Sequence, residues 1–93
     1  MHQVKLDYVI STVDGDLVLG KQNEDVRLGF MNTFRALEMG AEGMFDGGIR
    51  RIYVSKRDSD DIRAKCPGKH VDEAMKSLID DQVAFVIDVK LRK

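Results

Sequence analysis

Asp88-Val89-Lys90 places a carboxylate and an ammonium two residues apart near the end of an apolar alternating run. On a strand the two share a face, the acidic-x-Lys arrangement with which metal-dependent nucleases hold a divalent cation and position water. Such a site needs a second carboxylate from a neighbouring strand, and Asp7 is the one residue whose expected outward direction matches. Polar positions alternating along a solvated strand produce the same tripeptide without chemistry, so the nuclease reading ranks last.

Asp58-Ser59-Asp60-Asp61 offers hard oxygens for Mg²⁺ or Ca²⁺ but lacks the glycine and distal glutamate of a calcium loop. A helix start, with Asp58 or Ser59 as N-cap and acids in the first turn, accounts for all four residues. Cys66 and His70 stand four apart around Pro67-Gly68 and could form a thiolate–imidazole pair or half of a zinc site. Zinc needs further ligands, yet the only other histidine is His2 and there is no second cysteine. A small thiol packed beside a loop is the expectation. Gly40-Ala41-Glu42-Gly43 matches a phosphate-clamping G-x-x-G loop in letters only, because Glu42 would repel the phosphate. No dinucleotide fingerprint, Walker loop or H-E-x-x-H is present. No catalytic residue, cofactor or metal ligand is therefore assigned, and the chain is expected not to be an enzyme.

A different chemistry comes from the cations. Arg50, Arg51, Lys56 and Arg57 cluster around Tyr53, and Lys90, Arg92 and Lys93 lie at the far end of the sequence. Converging, they would form a basic surface for phosphates, with Tyr53 available to stack on a base. Asp58, Asp60, Asp61 and Asp88 lie close by in sequence and dilute that field. The formal net charge of −1 also falls short of a polyanion-binding domain's usual footprint. The charge is uneven, since residues 1–48 hold four Lys/Arg against eight Asp/Glu and residues 49–93 hold eleven against eight.

Ninety-three residues give room for one domain and one core, spanning 1–93. The 43% apolar and 33% charged content is that of a globular chain and excludes disorder. One cysteine allows no internal disulfide, which fits a reducing compartment. The longest uncharged apolar stretch, Val83 to Ile87, is far too short to cross a bilayer. A cytoplasmic protein without membrane contact is expected.

Several elements must position these residues. Val4, Leu6, Tyr8 and Ile10 alternate with polar positions, and Asp14-Gly15 suits a two-residue type I′ turn. That turn sets Ile10 opposite Leu19 and Thr12 opposite Leu17. Asn23-Glu24-Asp25 then predicts a helix start, with Val26, Phe30, Phe34, Leu37 and Ala41 as its apolar stripe. Met31, Met39 and Met44 widen the stripe, while Glu38 lies off it. Residues 49–56 read as a strand, with Ile52 and Val54 on one face and Ile49 and Tyr53 on the other. A short helical turn to Lys65 precedes Pro67-Gly68, and Val71, Ala74, Met75, Leu78 and Ile79 mark a second helix. Val83, Phe85, Ile87, Val89 and Leu91 alternate along the last strand.

The order β-β-α-β-α-β predicts a two-layer α+β or α/β sandwich: a mixed four-stranded sheet with two main helices on one face, its last two strands joined by a parallel crossover. The other face then carries Val9, Val18, Tyr53, Ala84 and Val86, ringed by Lys5, Asp7, Arg51, Asp88 and Lys90. An apolar centre with a charged rim is the makeup of a contact surface. The leading functional expectation is a small accessory or regulatory protein acting by protein–protein binding, as a homodimer and on an unidentified partner. Val9, Val18, Tyr53 and Val86 would carry the dimer or partner contact. Nucleic-acid binding through Arg50, Arg51, Lys56, Arg57, Lys90 and Arg92 is the second reading.

Overall fold

The computed structural model describes residues 3–30 and 32–92. His2, Met31 and Lys93, which entered the reading above, lie outside the described residues. In the first strand, β1 (Gln3–Thr12), every even position from Val4 to Thr12 is buried and no odd position is. The period-two pattern alone selects the core face. β2 (Leu17–Arg27) returns antiparallel beside it, with Ile10 opposite Leu19 as expected.

The connecting turn is one residue longer than expected. Gly15 N–H donates to the Thr12 carbonyl at 2.9 Å, and Thr12 N–H donates to that of Asp16 at 2.8 Å, closing a three-residue loop. Gly15 takes φ +98° and Asp14 stays out of the left-handed region. A type I′ turn would demand positive φ at both central residues, whereas this loop demands it only of glycine. Leu17 consequently pairs with Ser11 rather than Thr12.

The helix expected from Asn23 is replaced by the second half of β2. Val26 is buried, but as the strand partner of Val4. The coincidence of Val26 with a helical stripe is overridden by its pairing to β1. The helix itself, α1 (Arg35–Ala41), starts only after Phe34 and keeps Phe34, Leu37 and Ala41 in the core. Its first N–H, from Arg35, is capped from another element by the Asp61 carboxylate at 2.5 Å. Glu38 is 2% exposed, contrary to its expected outward place, and accepts hydrogen bonds from Thr33 N–H (2.7 Å) and Thr33 Oγ1 (2.9 Å). A buried carboxylate reaching back one turn satisfies donors that the helix start leaves open.

β3 (Ile49–Ser55) is followed by a 3₁₀ turn, then α2 (Asp60–Lys65), α3 (Lys69–Ala74) and β4 (Val83–Arg92). Ser59 precedes α2 as expected but caps nothing with its side chain; the hydroxyl donates instead to the Ser55 carbonyl at 2.5 Å. α3 is shorter than its apolar stripe, leaving Leu78 96% and Ile79 60% exposed. Beyond its end, Ser77 Oγ accepts from Ile79 N–H and donates to Gln82, bending the chain toward β4.

The strand order is β2-β1-β4-β3, and every neighbouring pair is antiparallel. The four-stranded sheet with its helices on one side is the expected α+β sandwich, but the parallel crossover between β3 and β4 is absent. The two short helices, divided by Pro67-Gly68, run an excursion that returns to the end it left. Lys56 N–H donates to the Gln82 carbonyl and Arg57 N–H to that of Asp80, closing its neck. Val83 then starts opposite Ser55. Leu37 and Ala41 of α1, Ile62 of α2 and Val71 of α3 share one core with Leu6, Ile10, Phe85, Ile87 and Leu91. Among the described residues no helix is long and apolar enough to cross a membrane.

Candidate functional site

Among the described residues no helix lies over the opposite face of the sheet. That face carries apolar side chains, with Val9 43%, Ile49 77% and Tyr53 64% exposed and Val86 half-buried. Between them on the central strand β4 stand Asp88, opposite Val9 and Arg51, and Lys90, opposite Asp7 and Ile49. Three of the four predicted contact residues, Val9, Tyr53 and Val86, fall on this face. Val18 instead sits at the register shift where Leu17 pairs with Ser11, packs against the core and lines a cleft with Cys66, His70 and Val71 on the helix side. Gly20, opposite Val9, has no side chain to fill the surface there. An open depression of about 610 Å³ results, lined by Asp7, Val9, Gly20, Gln22, Ile49, Asp88 and Lys90 among others.

The charges of this face are largely paired with one another. Arg51 holds Asp88 through two bonds, Nε to Oδ1 at 2.7 Å and Nη2 to Oδ2 at 3.4 Å. Arg92 holds Asp7, whose other oxygen accepts the Asn23 N–H at 2.8 Å. Lys5 lies 3.2 Å from Asp25. The Asn23 N–H, helped by Arg92 and Lys90, keeps the Asp7 carboxyl below the usual carboxylate range, and the Asp88 carboxylate pushes the Arg51 guanidinium up. Lys90 has no carboxylate at ion-pair distance among the described residues.

The acidic-x-Lys element does meet its expected second carboxylate here, since Asp7 pairs with Lys90 and Val9 with Asp88 across β1 and β4. Each carboxylate is already charge-compensated by an arginine, so its lone pairs are engaged. Among the described residues no group of three His, Cys, Asp or Glu is placed to hold a metal ion.

The expected basic surface is divided. Arg51, Lys90 and Arg92 lie on the open face. Arg50 turns to the helix side and donates to the carbonyls of Gly40 (2.5 Å) and Glu42 (3.1 Å), capping the end of α1. Lys56 donates to the Ser77 carbonyl and lies 3.4 Å from Asp80, which ties it to the neck of the excursion beside Arg57.

Cys66 and His70 do not form a pair that does chemistry. His70 Nδ1 lies 3.5 Å from Asp16 in the first turn, and burial pushes the Cys66 thiol up, away from thiolate. Asp58 accepts from Arg35 and Ser55, so the acidic cluster serves the start of α1. On the helix side, Tyr8 donates to Glu24 at 2.7 Å, and burial together with that bond raises its hydroxyl pKa. Ile49, Gly20 and Gln22 complete the open face beyond the residues singled out from sequence. Ile49 was legible through its shared parity with Tyr53, whereas Gly20 and Gln22 depended on the exact partner of Val9. A scan against protein-family models gives no match, and a search of curated proteins gives none either.

Proposed function

We propose that this chain is a small accessory or regulatory protein that binds a folded protein partner through the open face of its sheet. The observation that carries the reading is the uncovered apolar set Val9, Ile49, Tyr53 and Val86, interleaved with charges that largely neutralise one another. Burying such paired charges costs less than burying free ones, and the exposed apolar side chains supply the driving force. A polyanion would find the opposite balance: Arg51 and Arg92 are occupied by Asp88 and Asp7, leaving Lys90, which lies opposite Ile49 and four residues along β4 from the partner of Tyr53. Protein binding is therefore favoured over nucleic acid.

The test is affinity capture from the native host with three forms of the protein: wild type, Val86→Asp, and a control with Glu73→Lys on the exposed side of α3. A protein retained by wild type and control but lost with Val86→Asp, at unchanged melting temperature, supports the reading. Equal retention by all three sinks it. Mobility shifts with single-stranded DNA and RNA near physiological salt should show negligible retention; tight retention lost in Tyr53→Ala would transfer the face to nucleic acid.

A further inference from the structure

The sheet has two edges, and only one is protected. On β2 the register slips between Leu6–Glu24 and Tyr8–Lys21, with Asn23 at φ +55° and its N–H bonded to Asp7. A bulge together with Lys21, Glu24, Asp25 and Arg27 in one strand blunts an edge against further pairing. β3 is the other edge. From Ile49 to Val54 its register against β4 is unbroken, it contains no proline or lysine, and its two charges are tied back, Arg50 to the carbonyls at the end of α1 and Arg51 to Asp88.

The free backbone groups of that edge can be assigned. Leu91 N–H donates to Gly48 and the Leu91 carbonyl accepts from Gly47, so odd residues of β4 address β3. Val13 N–H donates to Ala84, which shows an even residue addressing β1. Arg50, Ile52 and Val54, opposite Val89, Ile87 and Phe85, therefore spend their backbone groups on β4. Ile49, Arg51 and Tyr53 point theirs outward. Beside them, on the helix side, a groove of about 300 Å³ lined by Ala36, Met39, Gly40 and Ile52 leaves the approach open. Met39 and Phe45, in the elements just before β3, are large and exposed like Ile49 and Tyr53.

We infer that β3 pairs antiparallel with β3 of a second copy of this chain, centred on Arg51, to make one continuous eight-stranded sheet. The strand is self-complementary in that register. Ile49 of one copy faces Tyr53 of the other, twice, on the open face, and an aliphatic–aromatic cross-strand pair is a favourable one. The two Arg51 side chains meet at the axis, each neutralised by its own Asp88. A register centred on Ile52 would instead need the Ser55 carbonyl, which Ser59 already occupies, beyond the break after Val54. This pairing stands on the edge alone and does not depend on the partner reading of the open face. It would double that face without covering it.

The experiment is hydrogen exchange on the wild-type chain across a concentration series, alongside sedimentation equilibrium. The mass should double, and the Ile49, Arg51 and Tyr53 amides should become protected in parallel, while β2 edge amides stay unchanged. Arg51→Pro removes one outward N–H and the side-chain bridge to Asp88 but leaves the backbone ladder to β4 intact, as edge strands tolerate, and should leave a folded monomer. Tyr53→Lys, a milder change, should shift dimer formation to higher concentration. A chain that is monomeric at every concentration overturns the proposal. So does a dimer whose Ile49, Arg51 and Tyr53 amides exchange independently of concentration, or one that survives a folded Arg51→Pro but not Val86→Asp.

Discussion

Asp7 accepts one hydrogen bond from the backbone of β2 and another from a guanidinium at the far end of the chain. Both favour the ionised carboxylate, with the Asn23 N–H the larger cause, so its folded pKa lies below the unfolded value. A depressed carboxyl adds stability above the unfolded pKa, about 4 on the reference scale, and loses it as pH falls through the folded one. Asp7→Asn should therefore melt below wild type at neutral pH, with the difference closing in acid. Thermal melts over a pH series check this, and a gap that stays constant into acid would remove the carboxylate's charge from the account. The same residue shows where reading from sequence stops. Residue types marked Asp7, Asp88 and Lys90 as chemically able, and strand parity put them on one face. The partners that neutralise the two carboxylates lie 85 and 37 positions away. Only strand order brings those together.

At the scale of elements, local period was legible and chain direction was not. β1, and β4 from Phe85 onward, alternate cleanly because both are central strands with one buried face, and the open face follows from them directly. The β2–α1 boundary was illegible because Val26 satisfies both periods, and the direction of β4 depends on where a two-helix excursion closes. α1 docks on β3 through an approach also invisible in composition. A Cβ on Gly40 would lie 2.3 Å from Ile52 Cδ1 and 2.7 Å from Cγ1. Gly40→Ala should gain about 1 kcal/mol of helix propensity but lose about 1–3 kcal/mol to overpacking. The net effect expected is destabilising. With Ile52→Ala in place the clash is gone, and the same substitution should become neutral or stabilising. Denaturant titration of the four-member cycle measures that reversal, and additive effects would mean that α1 does not rest on Ile52.

For the whole molecule, the decisive fact is that the last strand made is a central one. β4 lies between β1 and β3, and Ile87 faces Ile10 on one side and Ile52 on the other, all three on the core face. Neither the first hairpin nor β3 can bury its apolar side until β4 arrives, and every helix contributes to that same core. Contacts so distant in sequence make folding slow for the chain's size and leave no half with a core of its own. Ile87→Ala should then cost about 2–5 kcal/mol, the range for emptying a fully buried aliphatic site. Because the row links both halves, the loss should fall on them together. Amide resonances of β1–β2 and of β3 should disappear at one denaturant midpoint, shifted equally by the substitution. A first hairpin that persists after β3 has melted would show two folding units, and the dependence of both edges on β4 would be wrong.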